Sequence, residues 1–301
     1  MTGAERGMML LCCALGQETA HPLSMTQFRT LSLRAHERQN RGDPLRELTE
    51  KDLEDLGYDP IFAKRIVQLL EREKQLDVYL RAMERRGYTA VTRISPSYPP
   101  VISEKLGMNA PAVLFCGGDV SLLQRACISV VGSRKLTQAG KAFAETAGRI
   151  IAEAGFVLSS GGANGADRTA QRACLNAGGS VIVFTAGRLL DCMPQKRVLY
   201  VSEEGCELGF STARAMSRNR LIHAMGEKVL VAQTGFEQGG TWHGTADNLR
   251  RDLSPVFVHD DGSDGARGLT ELGAVPVTEL TELSLLHSAQ LEFSLRSDET
   301  E

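Results

Sequence analysis

Four short clusters in this 301-residue chain carry groups suited to holding an anion. They are Gly132-Ser133-Arg134-Lys135, Ser160-Gly161-Gly162-Ala163-Asn164-Gly165, Ser217-Arg218-Asn219-Arg220 and Gly239-Gly240-Thr241-Trp242-His243. Glycine lets backbone N–H groups approach a ligand, arginine and lysine supply charge, and asparagine can bridge backbone groups. Where such a loop leaves a strand and enters a helix, the positive helix end adds to the field, and the chemistry that fits is phosphate binding. The spacing is neither G-x-G-x-x-G nor G-x-x-x-x-G-K-[ST], so the clusters form neither a dinucleotide fingerprint nor a P-loop. Each cluster also has a structural reading that stays open. The glycines can serve positive φ or close helix packing, Arg218 and Arg220 can pair with distant acids, and Trp242 can pack rather than stack a base. His243 has no Ser, Cys or Asp partner visible in the sequence and is not assigned a catalytic role.

The elements that must position these clusters follow from hydrophobic periodicity. Apolar runs at 128–131 and 156–158 flank a segment with Phe143, Ala147, Ile150, Ile151 and Ala154 on one helical stripe. That is a βαβ unit, which predicts parallel pairing and puts the first two glycine loops side by side on one rim of the sheet. A third strand is predicted over 180–185, an irregular polar stretch over 187–213, and a helix over 215–225 with Arg218, Asn219 and Arg220 near its start. A strand over 228–232, a loop to Gly240, a helix over 241–251 and a strand over 255–258 complete an α/β alternation. Upstream, residues 1–86 read as short helices, one begun by Thr49 with Asp52 three residues on and ended by Gly57. Residues 88–94 and 112–115 read as strands separated by a turn-rich connector at 95–100. The expected organisation is a helical domain at 1–86, an α/β domain at 87–280 and an acidic, solvated tail at 281–301.

Composition bounds the function. A net charge of −3 provides no global basic field, so any polyanion site is a local patch. Seven cysteines without C-x-x-C or zinc-finger spacing point to reduced thiols in the cytoplasm, with no metal or cofactor expected. The apolar run at 8–15 reads as a core helix rather than a signal segment, and no run approaches the roughly 20 apolar residues that span a bilayer. Arg34, Arg38, Arg41 and Arg46 form either a weak basic patch or a solvated face.

The motifs in this order resemble the DNA-processing protein A (DprA/Smf) family, as do Ser97-Tyr98-Pro99-Pro100, Pro111-Ala112-Val113-Leu114-Phe115 and Gly118-Asp119 upstream. The resemblance covers roughly residues 10–280. It implies a Rossmann-like, doubly wound, mostly parallel sheet, with a SAM-like or helix-hairpin-helix-like domain in front. By motif it implies that Ser133, Arg134, the Gly161-Gly162 turn, Asn164 and the pair Arg218 and Arg220 line a single-stranded DNA pocket, and the loop chemistry adds Gly132, Lys135, Ser160, Asn219, Gly240 and Thr241 to the expected DNA or phosphate contacts. It also implies a homodimer, and as partner a RecA-type recombinase in DNA recombination and competence. For a divergent member serving in phage defence, the partner would be a cognate toxin. The chain departs from the family pattern at Gly162, Ala166, Ala213-Arg214-Ala215-Met216 and Gly239-Gly240-Thr241-Trp242, and a C-terminal winged helix is not expected. The alternative function is a nucleotide-processing enzyme similar to nucleoside-monophosphate phosphoribohydrolases, with Asp247 as the only candidate acid.

Overall fold

The computed structural model describes residues 1–16, 21–38 and 48–281. Arg41, Arg46, the side chain of Arg38 and the acidic tail from residue 282 lie outside the described residues. Two compact units emerge, one of Met1–Gln124 with Gly187–Gln195 and Tyr200–Phe210, the other of Arg125–Ala186, Lys196–Leu199 and the chain from Ser211 onward.

The first unit opens with α1 (Gly3–Cys12), α2 (Met25–Arg38), α3 (Glu50–Asp55), α4 (Pro60–Leu70) and α5 (Glu73–Glu84). Thr49 caps α3 as its sequence signature predicts, with Asp52 completing a capping box, and Gly57 follows at φ +85°. Next come β1 (Tyr88–Thr92), α6 (Pro100–Leu106) and β2 (Val113–Gly118), the strands paired antiparallel with Ala90 opposite Phe115. The unit does not end at residue 86, because Met9, Leu10, Leu76 and Met83 share one buried cluster with Tyr88, Val113 and Phe115. The connector at 95–100 leads directly into α6, with Pro100 in its first turn, where proline's missing N–H costs no helical hydrogen bond. Arg34, one of the four arginines of the expected basic patch, lies over the Tyr58 ring at 4.8 Å and donates to Leu56 O at 3.3 Å, so it ties α2 to the end of α3.

The second unit contains β3 (Cys127–Val131), α7 (Gln138–Glu153), β4 (Val157–Ser160), α8 (Ala166–Asn176) and β5 (Ser180–Phe184). After β6 (Val198–Ser202), which begins in this unit, come α9 (Thr212–Met225), β7 (Lys228–Val231), α10 (Gly239–Arg251), β8 (Val256–His259), α11 (Asp264–Glu271) and β9 (Val275–Val277). Strands β5, β4, β3, β7, β8 and β9 lie in that spatial order, every pair parallel, with Ile128 opposite both Leu158 and Lys228. Every residue of β3, β4, β5 and β8 is buried. Alternate residues point to opposite faces, so helices cover the sheet on both sides, as a doubly wound Rossmann-like fold requires.

Three expectations need correction. The polar stretch at 187–213 contains β6, whose Val198-Leu199-Tyr200-Val201 run is hidden between charged neighbours. Helix α9 starts at Thr212, three residues early, because Ser211 caps it by accepting from Arg214 N at 3.1 Å. The sheet also continues past residue 258 through α11 and β9.

Candidate nucleic-acid interface

Strand order fixes where a ligand can enter. From β3 the chain winds outward through β4 and β5, then returns to β7 on the other side of β3 and winds outward through β8 and β9. The order reverses between β3 and β7, and in folds of this kind the carboxyl ends of the strands at such a reversal are where ligands bind.

The loop after β3 forms one lip. Ser133 N donates to Gln233 O at 2.9 Å, Thr137 N donates to the Gln233 side-chain oxygen at 2.8 Å, and Ser133 O accepts from Ala166 N at 3.1 Å. These bonds fix the loop from both neighbouring strands and leave Arg134 and Lys135 exposed at its tip. Lys135 N donates to Ser133 Oγ at 3.2 Å, which makes the tip a tight turn. Gly165, which opens α8, has φ +89°, and a Cβ there would lie 2.2 Å from Ser133 O and 2.7 Å from Arg134 Cα. The two glycine loops therefore touch along their backbones, and only glycine allows it. Gly132 is likewise held for packing, since a Cβ on it would come within 2.5 Å of the Ala166 Cβ.

Behind this lip a buried carboxylate, Asp167, lies near the half-buried guanidinium of Arg218. A Cβ on Gly161 would fall 1.9 Å from the Arg218 Nη1 and 2.5 Å from the Asp167 Oδ2, so the loop backbone lies directly on the guanidinium. Arg218 Nη1 also donates to Phe184 O at 2.9 Å, at the end of β5. Burial pushes the Asp167 carboxyl up to about 6, opposed by the adjacent Arg218 charge, the Ala163 N–H and Arg134. Ser160 is buried below the turn and its hydroxyl accepts from Gln171 Nε2 at 2.6 Å, whereas Gly162 and Asn164 are exposed.

Arg218, Asn219 and Arg220 stand in the middle of α9, not near its start as expected. Residues two apart on a helix do not share a face, so Arg218 and Arg220 do not form one cationic pair. Arg214, four residues before Arg218, does share its face and donates to Ala186 O at 2.9 Å. Sequence reading passed over Arg214, although its i, i+4 relation to Arg218 was the available signal. Asn219 bridges backbone as anticipated, donating to Gly240 O at 3.1 Å and so tying α9 to the start of α10.

The loop after β7 forms the other lip and leads into α10, whose first turn holds Gly240 and Thr241 and has no side-chain cap. Its orphan N–H groups face the same end of the sheet. Trp242 is buried at 6 % exposure, which decides its role in favour of packing. Asp247 lies two turns further along α10 and is ion-paired to Arg251 at 3.0 Å, remote from the rim where a nucleotide-processing acid would act. Among the described residues no cluster of His, Cys, Asp and Glu could hold a metal ion, and no helix is long and apolar enough to cross a membrane.

The model of the family described as DNA recombination-mediator protein A matches residues 89–287. The chain belongs to this family. The DNA processing protein DprA of Bacillus subtilis is 30% identical over 214 residues, covering 67% of this chain and 71% of its own. Its counterpart in Streptococcus pneumoniae is 29% identical, covering 69% of this chain and 78% of its own. The crystal structure of the pneumococcal protein superposes with a TM-score of 0.70 at 23% identity over 90% of this chain and 95% of that one. DNA processing protein A of Helicobacter pylori, whose structure concerns its single-stranded DNA binding mode, superposes with a TM-score of 0.55 at 23% identity, over 68% of this chain and 96% of that one. These superpositions show that the DNA-processing protein A fold is shared, and family membership rests on the sequence match.

Proposed function

We propose that this DNA-processing protein A family member binds single-stranded DNA at the rim of its second unit. Arg134 and Lys135 would hold phosphates, and Arg218 would fix the Gly161 turn from behind. The observation that carries the reading is the exposed Arg134-Lys135 tip, clamped by its backbone onto Gly165 and the start of α8. Preorganised cations beside a helix N-terminus suit phosphates without reading sequence. The other expected site residues divide by position. Gly162, Asn164, Gly240 and Thr241 lie on the open side, where backbone N–H groups would add to the contact, whereas Gly132, Ser160, Gly161 and Asn219 shape it from within. Ser133 braces the loop through its backbone, and Arg220 extends the basic character of α9.

The recombination-mediator description of the family supports a RecA-type recombinase as the protein partner, with the bound strand as the shared substrate. Anisotropy of a labelled oligo(dT) strand tests the first claim: saturable binding, outcompeted by single strands better than by duplex, is expected. Absence of saturable binding at low salt would remove it. Co-sedimentation of the full chain with a recombinase on the same strand tests the second, and sedimentation velocity tests the homodimer that the resemblance implies.

A further inference from the structure

The lip after β7 carries a feature that phosphate binding does not use. Gly235 and Gln238 form an isolated bridge, and the turn between them presents Phe236 and Glu237 to solvent. Phe236 is 47 % exposed although it is a large aromatic. Its ring meets Trp242 edge-on, with centroids 5.0 Å apart and planes at 62°. Both rings lie over Gly268 of α11, where a Cβ would come within 2.6 Å of each. The ring is therefore backed by a buried tryptophan and by helix backbone, while part of it stays in water.

The placement of that ring matters. Strands β3 and β7 are neighbours, roughly 4.8 Å apart, and the loops after them, tied at their bases by Ser133 N to Gln233 O, open on the same rim. Arg134 and Lys135 occupy one lip and Phe236 the other. A polyanion crossing the rim meets charge on the first side and an aromatic surface on the second, the combination used to hold single strands through phosphate and base. Glu237 beside the ring repels phosphate, which leaves the aromatic face to the base. Trp242, the only tryptophan in the chain, supports this ring rather than stacking itself.

We propose that Phe236 is the base-stacking platform of the rim, taking an unpaired nucleobase of a strand whose phosphates lie on Arg134 and Lys135. This rests on the single-strand reading above and adds to it the part of the nucleotide recognised by the second lip. The test uses the full chain with two oligonucleotides of equal length and charge, one oligo(dT) and one of abasic residues, and compares wild type with Phe236→Ala, Phe236→Leu and Phe236→Tyr. Far-ultraviolet circular dichroism and the urea midpoint verify the fold of each variant.

Phe236→Ala and Phe236→Leu are expected to weaken oligo(dT) binding at least about fivefold. Both should bind the abasic strand as wild type does, and Phe236→Tyr should bind oligo(dT) as wild type does. Equal binding of oligo(dT) by wild type and Phe236→Leu would overturn the platform while leaving the phosphate site intact, as would an equal loss on both strands. Failure of wild type to bind either strand would overturn the single-strand reading itself and the platform with it.

Discussion

Gly165→Ala is the sharpest perturbation of the lip. At φ +89° and ψ −129° the residue occupies a region essentially restricted to glycine, where a side chain costs about 1–3 kcal/mol in strain. The added Cβ would also lie 2.2 Å from Ser133 O and 2.7 Å from Arg134 Cα, which are backbone atoms that cannot rotate away. Relieving that overlap costs roughly 1–3 kcal/mol more and lengthens the Ala166 N to Ser133 O hydrogen bond, now 3.1 Å. The expected loss is about 4 kcal/mol, read as a lowered urea midpoint at unchanged m-value. Gly162→Ala is the control, because Gly162 has no positive φ and its new Cβ would meet only Val183 Cγ1 at 3.7 Å. That substitution is expected to be neutral or to stabilise by about 0.5 kcal/mol through the unfolded state. A loss below about 1 kcal/mol for Gly165→Ala, or equal losses for the two, would refute the claim that the glycine loops are locked backbone to backbone.

Other outcomes follow from the same geometry. Burial raises Asp167 to about 6, so the folded state binds the extra proton between pH 3.8 and 6 and stability from this group is lost as pH rises through that window. Burial lowers His223 from 6.5 to about 4, so the unfolded state binds the extra proton there and stability is lost as pH falls. The two slopes oppose each other, and Asp167→Asn should uncover the second, losing about 3 kcal/mol between pH 6.5 and 4 where wild type is nearly flat; parallel profiles would contradict this. Asn219→Ala, which removes the bond to Gly240 O, should cost about 1 kcal/mol in urea unfolding. Thr49→Ala should cost about the same through loss of the α3 cap, whereas Thr49→Ser should cost little.

The sheet was legible because β3, β4, β5 and β7 are short, largely apolar runs flanked by glycine-bearing turns, too short for buried helices. Strand β6 was not, because Lys196, Arg197, Glu203 and Glu204 bracket its apolar core and mask the period. For the site, the first two glycine loops do lie together on one rim, since neighbouring parallel strands carry their carboxyl-end loops on the same edge of the sheet. What the sequence could not separate was one role of glycine from another. Gly161, Gly162 and Gly165 look alike in one motif, yet the first accommodates Arg218, the second has room to spare and the third holds a positive φ against a neighbouring backbone. Trp242 was open between packing and stacking because α11, whose Gly268 lies against the ring, was unseen in the sequence.

The most direct test of the rim as a phosphate site is the salt dependence of single-strand affinity for wild type, Arg134→Ala and Lys135→Ala. Each substitution should lower the slope of log affinity against log salt by about 0.7, equally for oligo(dT) and oligo(dA). A wild-type affinity indifferent to salt, or variants that keep the full wild-type slope, would contradict the account.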